Sequence, residues 1–375
     1  MPSTREERLP LEERWGGGRS DHMTAVMSSI VVGAGQAGLS AAYHLHRLGL
    51  VPGEDLLVLD ANDGPGGAWQ HRWSTLTMAD VHGVAALPGL PVPAASTVAP
   101  ASTVVPRYFA DYEQRFGLAV VRPVAVQRVE DAGAGLLRVV TADRTWLTRT
   151  LVNATGTWER PFVPSYPGAA TFRGRQRHTH DYDGPDELAG GHVVVVGGGA
   201  SAVQLLAEVS AVATTTWVTR RPPVWRTEPF TADAGREAVA RVEERVRRGL
   251  PPLSVVSATG LALREQEQDA FRRGVYARQP MFARLTATGV AWADGRQQRA
   301  DAVLWATGFR PDVAHLAPLR LRSAEGGIAV DGTAALRDSR VQLVGYGPSA
   351  STIGANRAGR VAARNVVEQL QVAAA

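Results

Sequence analysis

Two short glycine-rich turns, each entered from an apolar run, constrain this chain more than any other feature. The first reads Gly33-Ala34-Gly35-Gln36-Ala37-Gly38 after Ile30-Val31-Val32. The second reads Gly197-Gly198-Gly199-Ala200-Ser201-Ala202 after Val194-Val195-Val196. A buried strand that runs into such a turn and on into a helix opens a dinucleotide-binding βαβ unit. The first glycine permits the tight turn, the second lets backbone approach a pyrophosphate, and the third lets helix pack on strand. Alanine, as at Ala202, is an allowed third residue. The helix N-terminus offers free amides and a partial positive charge to phosphates.

The strands that follow the two turns end in opposite charge. Residues 56–60 end in Asp60, whose carboxylate suits the diol of a ribose. Residues 215–219 are followed by Arg220-Arg221, which suit a 2′-phosphate through the planar fork of a guanidinium. The competing reading of these arginines is an ordinary solvated strand end. Two dinucleotides are therefore expected, one of them NADPH.

Composition narrows the chemistry. The 375 residues suffice for two domains with real cores. There is no cysteine, which excludes dithiol redox centres, thiol nucleophiles and thiolate metal sites. Lysine is absent too, so all 40 basic residues are arginine, and lysine Schiff-base chemistry is excluded. The arginines are scattered among 36 acids for a net charge of +4, which argues against a nucleic-acid partner. No apolar run approaches the ~20 residues of a membrane span. The first 28 residues lack the apolar core of a signal peptide, so the expected placement is cytoplasmic. Residues 12–21, with Gly16-Gly17-Gly18, read as part of a disordered tail, and Met23 or Met27 are alternative starts to Met1.

Along the chain the patterns predict a strand at 29–32, a helix at 36–48 and a strand at 56–60. An irregular segment is predicted at 87–106, a helix at 108–116, and antiparallel strands at 120–129 and 136–146. A strand at 151–154 leads into Thr155-Gly156. The βαβ pattern restarts at His192, with a helix to about Val209, a strand at 215–219 and a charged helix at 233–248. A strand at 301–306 leads into Thr307-Gly308, a last strand covers 341–345, and a helix at 356–371 closes the chain.

Between the two turns, Phe172-Arg173-Gly174-Arg175-Gln176-Arg177-His178-Thr179-His180-Asp181-Tyr182-Asp183 fits FxGxxxHxxx(Y/W/F)(D/P). This resembles the fingerprint of the flavin-containing monooxygenases and their Baeyer–Villiger relatives. Gly66-Gly67-Ala68-Trp69 resembles their GGxW flavin loop. Ala154-Thr155-Gly156 and Ala306-Thr307-Gly308 resemble their two ATG turns. The resemblance runs from about Ser29 to Val367, in the family's order, in a compact bacterial form. It implies an α/β fold of two Rossmann-like domains, with the NADP domain inserted into the FAD domain. The expected boundaries are a disordered tail at 1–26, the first part of the FAD domain at 27–156 and a connector at 157–187. The NADP domain then covers 188–297, and the rest of the FAD domain 298–375.

By this resemblance Gly33, Gly35, Gln36, Ala37, Gly38, Asp60, Gly67, Ala68, Trp69, Gln70, Val126, Thr155 and Gly156 hold FAD. Gly197, Gly199, Ala200, Ser201, Ala202, Arg220 and Arg221 hold NADPH, with NADH as an alternative; Thr307 and Gly308 complete the cofactor set, and no metal is expected. The implied activity is oxygenation of a small substrate by O2 through a flavin C4a-(hydro)peroxide, on nitrogen, on sulfur or as a Baeyer–Villiger oxidation. His178 either bonds backbone at the domain junction or controls domain rotation. Trp69 and Trp158 are candidates to wall the flavin. Where classical members carry an asparagine near the flavin, this chain has Ala79 and Asp80, and Asp80 reads as an exposed loop carboxylate. Residues 87–106 and 227–280 are expected to line the entry. Two other readings stay open: a flavin reductase without oxygen insertion, and a non-catalytic redox sensor. The expected assembly is a monomer or homodimer.

Overall fold

The computed structural model describes residues 26–81, 84–226, 232–253, 260–261 and 263–374; the expected tail at 1–26 lies outside them except for Val26, which opens the first strand. Among the described residues six strands precede the connector: β1 (Val26–Val32), β2 (Leu56–Leu59), β3 (Val120–Val121), β4 (Arg128–Gly133), β5 (Leu136–Val140) and β6 (Thr145–Asn153). Parallel β2 and β6 flank β1, β3 extends the sheet beyond β2, and the β4–β5 hairpin joins β6 antiparallel. Two helices belong here, α1 (Gln36–Arg47) and α2 (Ala101–Arg115). Successive β1 residues serve opposite layers, as a pleated strand requires. Val31 packs with the helices, while Ile30 and Val32 pack with the β4–β5 side.

The second sheet has the order β10-β9-β8-β14-β7 and is parallel throughout. Its strands are β7 (Arg175–His178), β8 (His192–Val196), β9 (Thr214–Thr219), β10 (Gln279–Pro280) and β14 (Ala302–Trp305). Helices α3 (Ala200–Val209) and α5 (Glu265–Arg272) lie on one face. The small antiparallel sheet of β11 (Arg284–Thr286), β12 (Gly289–Ala291) and β13 (Gln297–Arg299) covers the other. The charged helix is α4 (Ala232–Arg247). The chain then returns through β15 (Val330–Asp331), β16 (Ala334–Ala335) and β17 (Asp338–Leu343), and β17 pairs parallel with β6. Helix α6 (Thr352–Ala374) closes the first domain against α1. The helices cross closely at Gly359, where a Cβ would lie 2.7 Å from Ser40 Oγ.

Four sequence expectations are corrected. Residues 101–106 are helical, because Ala101, Val105, Tyr108, Phe109 and Tyr112 bury one face and Pro106 is used as packing surface under Gly66. Of 120–129, only Val120–Val121 pairs with β2, and Val124 N–H then turns to Asp60 O. The segment 136–146 breaks at Thr141, whose backbone and hydroxyl both bond Arg144, into β5 and the start of the long β6. The boundary at 298 falls too early: Ala302–Trp305, all buried, inserts between β8 and β7 in the second sheet. Four apolar residues can be covered on both faces only in a sheet centre.

The fingerprint segment is itself part of this sheet. Phe172 fills the core beneath the antiparallel layer. Gly174 lies where a Cβ would be 2.3 Å from the Phe172 ring and 2.5 Å from Asp301 O. Tyr182 packs edge-to-face on Trp73 of the first domain, with centroids 5.9 Å apart. Gly174→Ala should therefore destabilise the second domain by about 1–3 kcal/mol, the usual cost of overpacking. Thermal denaturation checks this, and an unchanged Tm would show that Phe172 can move aside.

Candidate active site at the domain junction

A cleft of about 760 Å³ opens at the carboxyl ends of β1, β2 and β6, where open parallel sheets bind ligands. Its floor is the first glycine turn. Gly33 has φ +100° and sits against the first ATG turn, where a Cβ would be 2.6 Å from Ala154 O. Gly38 touches the turn itself, where a Cβ would be 1.8 Å from Gly33 O. A Cβ on Gly35 meets nothing within 4 Å, because that position faces the open cleft. Helix α1 begins there with no side-chain cap and no acid in its first turn. Its first amides are thus free for a phosphate, and the residues fit FAD.

Asp60 lies in the cleft wall. Its Oδ2 accepts from Ala34 N–H at 2.8 Å, and its Oδ1 accepts from Asn62 N–H and Nδ2, each at 2.8 Å. Arg122 stands 3.7 Å away, itself paired to Glu113 at 2.6 Å. The carboxylate thus pins the glycine turn to β2 as well as facing the ribose position. Of the residues expected to hold FAD, Gly33, Gly35, Gln36, Ala37, Asp60, Gly67, Ala68, Trp69, Gln70, Val126, Thr155 and Gly156 all line the cleft. Gly38 does not; it serves helix packing.

The cleft wall is also aromatic, and His71 joins this part to the Asp60 side, its ring centroid 6.2 Å from that of Trp158 and its Nε2 2.7 Å from Asn62 Oδ1. Trp158 stacks on Phe309 with centroids 5.1 Å apart and approaches His180 at 4.9 Å. The Arg72 guanidinium lies 4.5 Å from the Trp158 ring centroid. His178 is buried behind this wall and does not line the cleft. Its Nε2–H donates to Gly308 O at 3.1 Å and its Nδ1 accepts from His180 N–H at 3.0 Å. Both nitrogens are spent on backbone, the geometry of a pin between the connector and the second ATG turn. Thr307 and Gly308 do not line the cleft; Thr307 Oγ1 and Gly308 O bond Phe162 of the connector.

The second turn repeats the first. A Cβ on Gly197 would lie 2.2 Å from Ala306 O, while one on Gly199 meets nothing. Helix α3 also starts without a side-chain cap or an acid in its first turn. Ala200 and Ser201 open that helix and Ala202 is buried under it. Arg220 and Arg221 are exposed past the end of β9. A third guanidinium joins them, because Arg278 donates from Nε to Thr219 Oγ1 at 2.7 Å. Sequence reading missed Arg278, since only the pairing of β10 with β9 brings it there.

Sequence reading also missed Arg72, His71, Asp312, His315 and the 349–351 segment, all in the cleft wall. Gly345, with φ +69° and followed by a 3-10 turn and α6, was the available signal for the last of these. His315 is held by Asn153, with Nε2 2.6 Å from Oδ1. Asp80 faces a separate interdomain cavity of about 280 Å³, where its backbone carbonyl accepts from Gln204 Nε2 at 2.8 Å.

Two dinucleotide sites that share one connector define a flavoprotein oxidoreductase, and comparison with known proteins agrees. Residues 30–249 match the family model of the pyridine nucleotide-disulphide oxidoreductases. A flavin-containing monooxygenase from Stenotrophomonas maltophilia is 40% identical, with TM-score 0.79 over 92% of this chain and 99% of that one. An indole-3-pyruvate monooxygenase of Oryza sativa subsp. japonica is 27% identical over 77% of this chain and 78% of its own length. The bacillithiol disulfide reductase of Bacillus cereus, 16% identical at TM-score 0.66 over 91% of this chain and 98% of that one, shares the fold. The chain belongs to the pyridine nucleotide-disulphide oxidoreductase family and, within it, to the flavin-containing monooxygenases. It is an FAD- and NADPH-dependent monooxygenase, and with no cysteine its sequence carries no thiol chemistry.

Two outcomes follow. Gly35→Val should stay soluble and lose FAD, because its side chain fills only the space a phosphate needs, whereas Gly38→Ala should damage the fold itself. Flavin absorbance and circular dichroism of both variants check this. The second concerns pH. Burial holds His44, His178, His192 and His315 below the ordinary imidazole value. They resist protonation when folded, while the unfolded chain takes up protons below about pH 6.5. Their contribution is therefore neutral above that pH and destabilising as pH falls through it. Tm should drop between pH 7 and 5, and His178→Gln should shrink that dependence while lowering Tm at pH 7.

Proposed function

We propose that this enzyme uses NADPH and O2 to place one oxygen atom on a nitrogen, a sulfur or a ketone of a small organic substrate, with water and NADP⁺ as co-products. The carrying observation is the aromatic part of the cleft. Trp158 and Phe309 belong to the segments that follow the first and the second ATG turn, so both domains contribute to one wall. A substrate held there lies between the flavin domain and the nicotinamide domain.

Bound FAD would supply hydride acceptance and oxygen activation. The protein's own part is positioning and dryness. The amides of Gly35 and Gln36 and of the α3 N-terminus receive the two pyrophosphates. Asp60 receives the adenosine ribose of FAD, which favours FAD over FMN. Trp69, Trp158 and Phe309 keep water from the reacting face. His178 holds the second ATG turn at a fixed distance from the connector and moves no proton. Arg220, Arg221 and Arg278 receive the 2′-phosphate.

Oxygen uptake stoichiometric with NADPH oxidation and with oxygenated product, over a panel of amines, sulfides and ketones, tests the reading. NADPH oxidation that yields only peroxide would favour the reductase alternative. Arg220→Gln should raise the Michaelis constant for NADPH by about one to two decades, the value of a charge-assisted pair, and leave NADH nearly unchanged. Arg221→Gln should do less. Steady-state kinetics with both nucleotides decides it.

A further inference from the structure

The aromatic part of the cleft carries a cation that no carboxylate balances among the described residues. Arg72 follows the GGxW loop and lines the cleft. Burial pulls its guanidinium down to about 10, with no neighbouring charge acting on it. Among the described residues no carboxylate lies within ion-pair distance of Arg72, although Asp60, Asp63, Glu159 and Asp312 line the same cleft. Among the described residues Asp60 pairs with Arg122. A shielded arginine is normally paired, because an unpaired one costs folding free energy.

What Arg72 touches is aromatic. Its Cζ is 4.5 Å from the Trp158 centroid and 5.9 Å from that of Trp69. A guanidinium beside an aromatic ring can offer its N–H groups to a ligand, and among the described residues the side chain of Arg72 makes no hydrogen bond. That open edge is what a carboxylate binds in a bidentate pair.

Location selects the anion. The phosphates of FAD already have the uncapped N-terminus of α1. Arg72 lies instead on Trp158, which stacks on Phe309, and Phe309 meets His178 edge-to-face at 5.0 Å. That chain of contacts puts the guanidinium at the domain junction. On the monooxygenase reading, this is where substrate must sit.

We propose that Arg72 is the specificity-determining residue for a substrate carboxylate, and that Trp158 and Trp69 wall the flat, unsaturated or aromatic body of the same molecule. The substrate is then an organic acid whose oxidisable centre reaches from the carboxylate toward the flavin, rather than a neutral or cationic amine.

Benzoate and benzamide share one shape and differ in charge. Both are titrated into the FAD-loaded enzyme, with tryptophan fluorescence and the visible flavin band as readouts. Benzoate should bind at least ~10-fold more tightly than benzamide. Arg72→Gln should weaken benzoate by about 10–100-fold, leave benzamide unchanged and keep full FAD. Arg72→Lys, which keeps the charge without the fork, should restore part of the difference. Equal binding of the two probes to the native enzyme overturns the proposal. So does loss of FAD from Arg72→Gln, which would assign the guanidinium to the cofactor's phosphates. Failure of the monooxygenase reading gives a different result: benzoate still binds through Arg72, but no substrate acid takes up oxygen with NADPH.

Discussion

Everything in this molecule hangs on two places where backbone meets backbone without room for a side chain. Gly33 lies against the carbonyl of Ala154, and Gly197 lies against that of Ala306. In each case the same alanine donates its N–H to the residue before the glycine, Val32 or Val196, at 2.8 Å. The last turn of one strand is thereby welded to the end of its parallel neighbour. This explains why each glycine turn is matched by an ATG turn far away in sequence. The second glycine of each turn is left with open space in front of it, and the dinucleotide occupies what the protein leaves empty.

The connector makes two such units into one enzyme. Its residues 175–178 form the edge strand β7, so the linker is also a structural member of the second sheet. His178 then reaches Gly308, and Tyr182 reaches back to Trp73 in the first domain. Across the smaller cavity, Gln204 on α3 holds the carbonyl of Asp80. These contacts limit how the domains can sit, and the cores interlock at the junction: Trp73 and Leu76 of the first domain pack into the second core, and Val246 of α4 packs into the first.

The cleft divides its tasks by polarity. Glycine amides and Asp60 serve the charged and hydroxylated parts of a dinucleotide. The wall of Trp69, Trp158 and Phe309 serves chemistry that needs water excluded. Arg72 is the exception, a half-buried cation over Trp158 within that wall, with no carboxylate in ion-pair reach among the described residues.

Local pattern was enough for the two glycine turns, the strands that enter them, the opposite charges that follow, and the absence of thiol chemistry. Each depends on a residue and its near neighbours, where periodicity and backbone sterics act directly. It was enough for helix α1 and for the fingerprint, whose phenylalanine, glycine and histidine have local spacing. It misjudged 101–106, where burial of five side chains outweighs a proline, and it returned the chain to the first domain too soon, because a short apolar strand does not reveal which sheet will cover it. It passed over Arg72, Arg278 and His315, since nothing near them in sequence marks them. Arg72 matters because Trp158 lies under it, and Arg278 because β10 pairs with β9. Those are non-local contacts, settled by which surfaces can be buried together, and only the tertiary structure decides them.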